Sequence, residues 1–358
     1  MSISNRLFCC SILFCKLLSN CTASSAETLS GAGSSAAAPI YRAWAAAYGK
    51  KQNFELTYEA AGSSAGLRKI RTNEVDFGAS DIAPSASELA RDRLVLVPTF
   101  VTGLTPVVNL PKLANVRLKL NGEVLAGIFQ GAVTRWNAPE IQQLNAAVPL
   151  PDLPIKPVVR SDGSGTTFYF TSYLSTVSED WRQKVGAGSS VKWPQGAVPA
   201  KGSDGVARAV KEQVGAIGYI DFNYVAAHAL APVQLKNSLG EFVVPGAASF
   251  RAALQVSDWS HKGDFLAPLV NLPGSNVWPI TMGTFILLPK AAERTEQVSI
   301  ALRFFTWSLL SGDQAVEAGN FVRLPDKLQA LAFKALAGVT DARGKALGLE
   351  ALGEVTRR

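Results

Sequence analysis

Cysteine is missing from most of this chain. Of 358 residues four are cysteine, and Cys9, Cys10, Cys15 and Cys21 all lie among the first 26. A product that starts at Glu27 has no disulfide, no thiol nucleophile and no thiolate metal ligand. Histidine is nearly absent as well. His228 and His261 stand isolated, so no metal-ligand cluster is expected and a Ser-His-Asp triad has only these two to draw on. No Gly-x-x-x-x-Gly-Lys-Ser/Thr loop occurs, which argues against nucleotide hydrolysis. Basic residues form no block and are not interleaved with aromatic ones, so nucleic-acid binding is unsupported. After the first 26 residues no apolar run reaches the roughly 18 residues of a membrane span.

What is present suits a secreted, turn-rich α/β protein. The chain is 47% hydrophobic and 18% charged, with 30 glycines and 19 prolines. That is enough for a substantial core, and the length favours two domains. Residues 1–26 read as an export signal: Arg6 leads, Leu7 to Leu18 is mostly apolar despite Lys16, and Ala23-Ser24-Ser25-Ala26 offers a small-residue cleavage site. The alternative is a lipoprotein box, Leu18-Ser19-Asn20-Cys21, with Cys21 lipidated. The net charge is +7. The leader holds two basic residues and no acidic one, so the remainder carries +5, a mild field that draws anions.

Along the chain the pattern alternates. A helix is expected over 36–50, a strand over 54–60, a short helix over 67–72, a strand over 75–80 ending in Asp81, and a helix over 85–91. Leu94 to Thr99 and Val101 to Leu110 read as two consecutive strands. Further strands are expected over 216–222 and 280–289, and helices near 124–129, 139–144, 247–254, 295–310 and 326–336. Residues 186–205 read as loop. This order predicts mostly parallel sheets with helices on their faces.

The stretch that organises the reading is Arg160-Ser161-Asp162-Gly163-Ser164-Gly165-Thr166-Thr167. It joins a β-branched run to an apolar helical segment. A helix start exposes unpaired N–H groups and the positive end of the helix dipole. Gly163 and Gly165 allow close approach, Ser164 and Thr166 add hydroxyls, and Arg160 adds a fork of N–H donors. Together they form an anion cradle; the plainer alternative is a capped helix with a stray arginine. Similar Gly/Ser turns surround Ser35 and Ser63, at the carboxyl ends of predicted strands, where ligands bind. Asp81 lies at such an end too. Beside an oxyanion it makes sense as an acceptor for a ligand proton; as a local feature it could equally cap a helix. Asp162, two residues from Arg160, is placed to orient the guanidinium or to form an Asx turn. Gly31-x-Gly33-x-x-Ala36 fits a loose dinucleotide fingerprint, but too little strand precedes it.

Taken in order, Ser30 to Ser35, Ala61 to Gly66, Val75-Asp76-Phe77-Gly78-Ala79-Ser80-Asp81 and the Arg160 stretch resemble the periplasmic phosphate-binding proteins that serve the phosphate-specific ABC transporter. Val191-Lys192-Trp193-Pro194, Gly215 to Tyr219 and Trp278-Pro279-Ile280-Thr281 support the likeness. It implies a type II two-lobed binding-protein fold, each lobe a mostly parallel sheet flanked by helices, with the ligand in the interlobe cleft. Lobe one would be residues 27–104 plus 281–358, and lobe two 105–280. It implies phosphate held by Ser35, the Ala36 backbone, Ser63, Asp81, Arg160, Ser164, Gly165 and Thr166, with Asp162 steadying the arginine. It implies a monomer without cofactor or catalysis that delivers phosphate to membrane permease subunits. Here Ala36 and Ala37 stand where the family commonly has Phe-Pro. A binder of sulfate, molybdate or tungstate, or a secreted phosphate-ester hydrolase, are the competing readings.

Overall fold

The computed structural model describes residues 26–113 and 116–357. The expected export segment, Cys21 included, lies outside the described residues apart from Ala26. The first part of the chain alternates as its sequence pattern dictates. Strand β1 (Glu27–Gly33) leads to helix α1 (Ala38–Gly49), β2 (Phe54–Glu59) to α2 (Ser63–Arg71), and β3 (Phe77–Ser80) follows. The middle contributes β4 (Leu94–Val108), β5 (Lys156–Arg160), α3 (Gly165–Val177), β6 (Val198–Ala200), α4 (Gly202–Glu212), β7 (Ala216–Asp221) and α5 (Phe222–Ala227). Near the end come β8 (Thr281–Pro289) and α6 (Thr295–Ser311).

The strands form one nine-stranded mixed sheet in the order β2-β1-β3-β8-β4-β7-β5-β6, with Ala231–Pro232 also beside β4. Pairing is parallel within β2-β1-β3 and within β7-β5-β6. It is antiparallel where β8 and β4 join these groups. The sheet is therefore less parallel than the element order alone suggests.

The two strands expected over 94–110 are a single 15-residue strand. Pro98 lies within it and cannot donate to the ladder. The structure absorbs it with a bulge at Thr99, whose side chain donates to the Thr284 carbonyl at 2.7 Å. This strand changes partner along its length. Residues 94–103 pair with β8, and residues 104–108 pair with β7. At the change, Leu104 N–H donates to the Ile280 carbonyl and Trp278 Nε1 to the Leu104 carbonyl.

The core is rich in rings. Tyr41 packs against Trp44, Tyr58, Phe77, Phe100 and Phe305 with ring centroids 5.3–6.1 Å apart, a cluster between β1-β3 and α1/α6. Phe170 stacks on Tyr219 at 4.2 Å and thereby fixes α3 over β7. Gly66 lets α2 lie on the backbone of β1 and β3: a Cβ there would come within 2.5 Å of the Ala79 carbonyl and 2.6 Å of Gly33 Cα. That close seat brings the start of α2 to the ends of those strands. Helix α4, which begins where the sequence reads as loop, buries Val206, Ala207 and Val210 against β7 and β5.

Candidate functional site

Every site residue singled out in the sequence sits at a strand end or helix start around one buried polar cluster. Ser34 and Ser35 follow β1. Ser63 opens α2 behind Gly62, whose φ of 92° a side chain would resist. Asp81 follows β3. Arg160 ends β5, Ser164 caps α3, and Gly165 and Thr166 are the first residues of that helix. Ser35, Ala36, Ser63, Asp81, Arg160, Ser164 and Thr166 are all at least 95% buried.

Asp81 is held entirely by hydroxyls. Ser34 Oγ donates to Oδ1 at 2.7 Å, with Oδ2 at 2.9 Å. Thr284 Oγ1 donates to Oδ1 at 2.7 Å and Ser63 Oγ to Oδ2 at 3.1 Å. Ser63 Oγ in turn accepts the Asp81 N–H. Burial pushes the Asp81 carboxyl above its ordinary range, and these hydroxyls and the charge of Arg160 offset part of that rise. Asp81 does not cap the next helix. Ser85 does that, in a capping box with Glu88.

Across from Asp81, Arg160 is gripped by Asp162. Nε donates to Oδ1 at 2.7 Å and Nη2 donates to Oδ2, a bidentate fork. Oδ1 also accepts the Gly202 N–H at 3.0 Å. Burial alone would lower the pKa of Arg160, but its bonds and charge contact with Asp162 outweigh this and the net shift is upward. Burial likewise acts to raise Asp162, and the arginine overrides it and holds the carboxyl low. The remaining Nη1 of Arg160 points toward Thr166 Oγ1 at 3.5 Å. Asp162 therefore orients the guanidinium; it is not merely a turn residue.

The Gly/Ser turns meet. A Cβ on Gly165 would lie 2.4 Å from Asp81 Cβ and 2.8 Å from Ser63 Oγ, so only glycine lets the start of α3 approach Asp81. Ser64 N–H donates to the Gly163 carbonyl at 3.2 Å. Gly62-Ser63-Ser64-Ala65-Gly66 also has the Gly-x-Ser-x-Gly spacing of a nucleophile elbow. Its central Ser64 is exposed, and its hydroxyl donates to Ser189, with no histidine engaged.

The carbonyls of the β1–α1 turn are taken by two tyrosines. Tyr58 donates to the Ser34 carbonyl and Tyr224 to the Ser35 carbonyl, both at 2.8 Å. Peptide planarity then turns the Ala36 N–H away from Tyr224. The Ala36 side chain is fully enclosed in the core.

Four residues of the cluster escaped the sequence reading: Ser34, Ser203, Asp221 and Thr284. Ser203 Oγ lies 2.8 Å from Ser35 Oγ, and Ser203 N–H donates to Ser35 Oγ at 3.2 Å. Ser203 Oγ also donates to Asp221 Oδ2 at 2.7 Å, while Thr166 Oγ1 donates to Oδ1 at 3.3 Å. Asp221 is fully buried, and burial, with the charge of Asp81 second, pushes its carboxyl up to about 6. One signal was available: Asp221 closes a strand just as Asp81 does. Thr284 lies inside a strand and carried none. Among the described residues, no group of His, Cys, Asp or Glu could hold a metal ion, and no helix is long and apolar enough to cross a membrane.

The family model for PBP superfamily domains matches residues 19–308. The phosphate-binding protein PstS of Pasteurella multocida (strain Pm70) is 43% identical over 303 residues, covering 85% of this chain and 88% of the relative. That of Haemophilus influenzae is 41% identical over 300 residues, covering 84% and 90%. The solved structure of a phosphate-binding protein from Stenotrophomonas maltophilia shares the fold at a TM-score of 0.67 and 19% identity, covering 90% of this chain and 97% of that one. The superfamily match and the shared length and identity with these relatives agree with the strand-end polar cluster, and the chain belongs to the PBP superfamily and, within it, to the family of phosphate-binding proteins PstS.

Proposed function

We propose that this protein binds inorganic phosphate reversibly in the buried cluster, outside the cytoplasmic membrane, and delivers it to the permease subunits of an ABC importer without turning it over. One observation carries the choice of anion. An ionised carboxylate has about four acceptor sites, and Asp81 receives three hydroxyls. A site is left for one more hydrogen, and a protonated oxyanion supplies it. Ser35, the Ala36 N–H, Arg160 and the α3 start at Ser164, Gly165 and Thr166 then donate to the other oxygens, and Ser63, whose hydroxyl hydrogen goes to Asp81, lines the site at the start of α2. The relatives' names support phosphate as that anion, and their role as binding proteins supports an absence of catalysis.

Residues 27–104 with 281–358 act as one lobe and 105–280 as the other. The change of partner in β4 between Gly103 and Leu104 supports the first crossing, and Trp278 against Leu104 the second. Closing the lobes over the anion excludes water and strengthens each polar contact. The leader directs export; with Cys21 lipidated, the product would instead be tethered at its N-terminus.

Calorimetry on the chain from Glu27 is expected to give one phosphate site per chain, with compaction by small-angle scattering at saturation. No binding at millimolar phosphate would end this reading. Release of product from a chromogenic phosphate ester would favour the hydrolase instead.

A further inference from the structure

The cluster holds a second buried carboxylate that the proton-reading role of Asp81 does not use. We propose that Asp221 is a positioning residue that sets the direction of the hydroxyl hydrogens in the cleft. As a carboxylate it draws the hydroxyls of Thr166 and Ser203, and through Ser203 that of Ser35, away from the anion; a proton on Asp221 releases them. The inference rests on phosphate as the ligand.

The geometry fixes the directions. An ionised carboxylate accepts only, so Ser203 and Thr166 spend their hydrogens on Oδ2 and Oδ1. Ser203 Oγ, having donated, is left as the acceptor for Ser35 Oγ at 2.8 Å. The chain runs Ser35 to Ser203 to Asp221 and links residues on opposite sides of the cluster. Two of the hydroxyls expected to serve phosphate, those of Ser35 and Thr166, thus present lone pairs rather than hydrogens to the anion while Asp221 is charged.

The groups that act on Asp221 are few. Asp81 raises it across the cluster, and Arg160 at the end of β5 lowers it. Tyr219 on its own strand is itself raised to about 12 by burial and so is neutral. Tyr224 on α5 is raised by burial and is neutral too. Asp204, beside Ser203 on α4, lies 3.5 Å from His228. Burial and the charge of Asp81 push the Asp221 carboxyl up to about 6, so its charge changes within the neutral-to-acid range.

The test is phosphate titration of the wild type and Asp221→Asn from pH 8 to pH 5. The ligand's own ionisation is common to both proteins and cancels in the ratio of affinities. An amide removes the charge and frees at least one hydroxyl at every pH. Asp221→Asn is expected to bind phosphate about tenfold more tightly than wild type at pH 8, converging to within about twofold at pH 5. A ratio that does not change with pH, or a variant weaker throughout, overturns the proposal.

Ser203→Ala gives a second arm should the first variant not fold. The Ser203 hydroxyl lowers the Asp221 pKa, so its removal is expected to move the midpoint of the affinity change to higher pH. An unmoved midpoint overturns the proposal. Failure of the wild type to bind phosphate at all would instead count against the phosphate reading.

Discussion

Arg160→Ala is expected to weaken phosphate and every other oxyanion together, by about 2–4 kcal/mol or roughly 30- to 700-fold, the scale of breaking a buried charge-assisted pair. The side chain is the only cation bonded within the cluster among the described residues, and it is held with its fork fixed by Asp162. Removing it deletes the attraction. It also leaves the Asp162 carboxylate without its counter-charge, which adds an unpaired negative group beside the cluster that holds Asp81 and Asp221. Arg160→Lys keeps the charge but loses the bidentate contact, and recovers part of the affinity. Paired titrations of both variants with phosphate and sulfate check this: the loss should be nearly equal for the two anions. A loss confined to phosphate would mean that Arg160 reads the proton, which a group without an acceptor cannot do.

Much of this site was legible because its residues sit where backbone rules put them. Gly62, Gly163 and Gly165 mark turns that admit close approach, and Ser164 marks a cap; each is a local signal that survives folding unchanged. Arg160 and Asp162 lie two apart, a spacing that puts them on one face of extended backbone and made their pairing one of two readings beside an Asx turn. Ser203 and Thr284 were not legible. They reach Ser35 and Asp81 across 168 and 203 residues of chain, and nothing local distinguishes them from other surface-type hydroxyls. Asp221 was within reach of the rule that found Asp81, but its surroundings in sequence, between Ile220 and Phe222, give no Gly/Ser turn.

The fold divides in the same way. Helices with a clear apolar stripe, such as α6, were read to within a residue or two. Helix α4 was missed because its first turn, Gly202 to Gly205, continues a stretch that reads as loop. The single strand β4 was read as two, with the break between Thr99 and Val101, where a bulge keeps the pairing with β8 continuous. The parallel direction within β2-β1-β3 and within β7-β5-β6 followed from the alternating element order, whereas antiparallel β8, which enters the sheet from the far end of the chain, did not.

Asp81→Asn is the substitution that separates phosphate from sulfate, and its effect should be on the ratio of the two. In the wild type, an anion with no proton sets a bare oxygen against a buried carboxylate in a cluster closed to water, where like charges repel strongly. Hydrogen phosphate avoids this by donating. The amide removes the repulsion and can turn its own N–H toward a bare oxygen, while Ser34, Ser63 and Thr284 rotate to accommodate it. Sulfate therefore gains on phosphate, whatever happens to phosphate affinity itself.

Folding stability gives an independent sign. Burial raises the Asp81 pKa, so its folding contribution is greatest at pH values where the carboxyl is protonated. That contribution falls as pH rises from the unfolded value through the raised one. At pH 8 the unliganded Asn variant is relieved of this cost. The decisive measurement is titration of wild type and Asp81→Asn with phosphate and with sulfate at pH 8, where phosphate is mainly singly protonated. The account predicts a phosphate-to-sulfate preference that is large in the wild type and falls by at least about tenfold in the variant; an unchanged preference would mean that Asp81 does not read the ligand's proton.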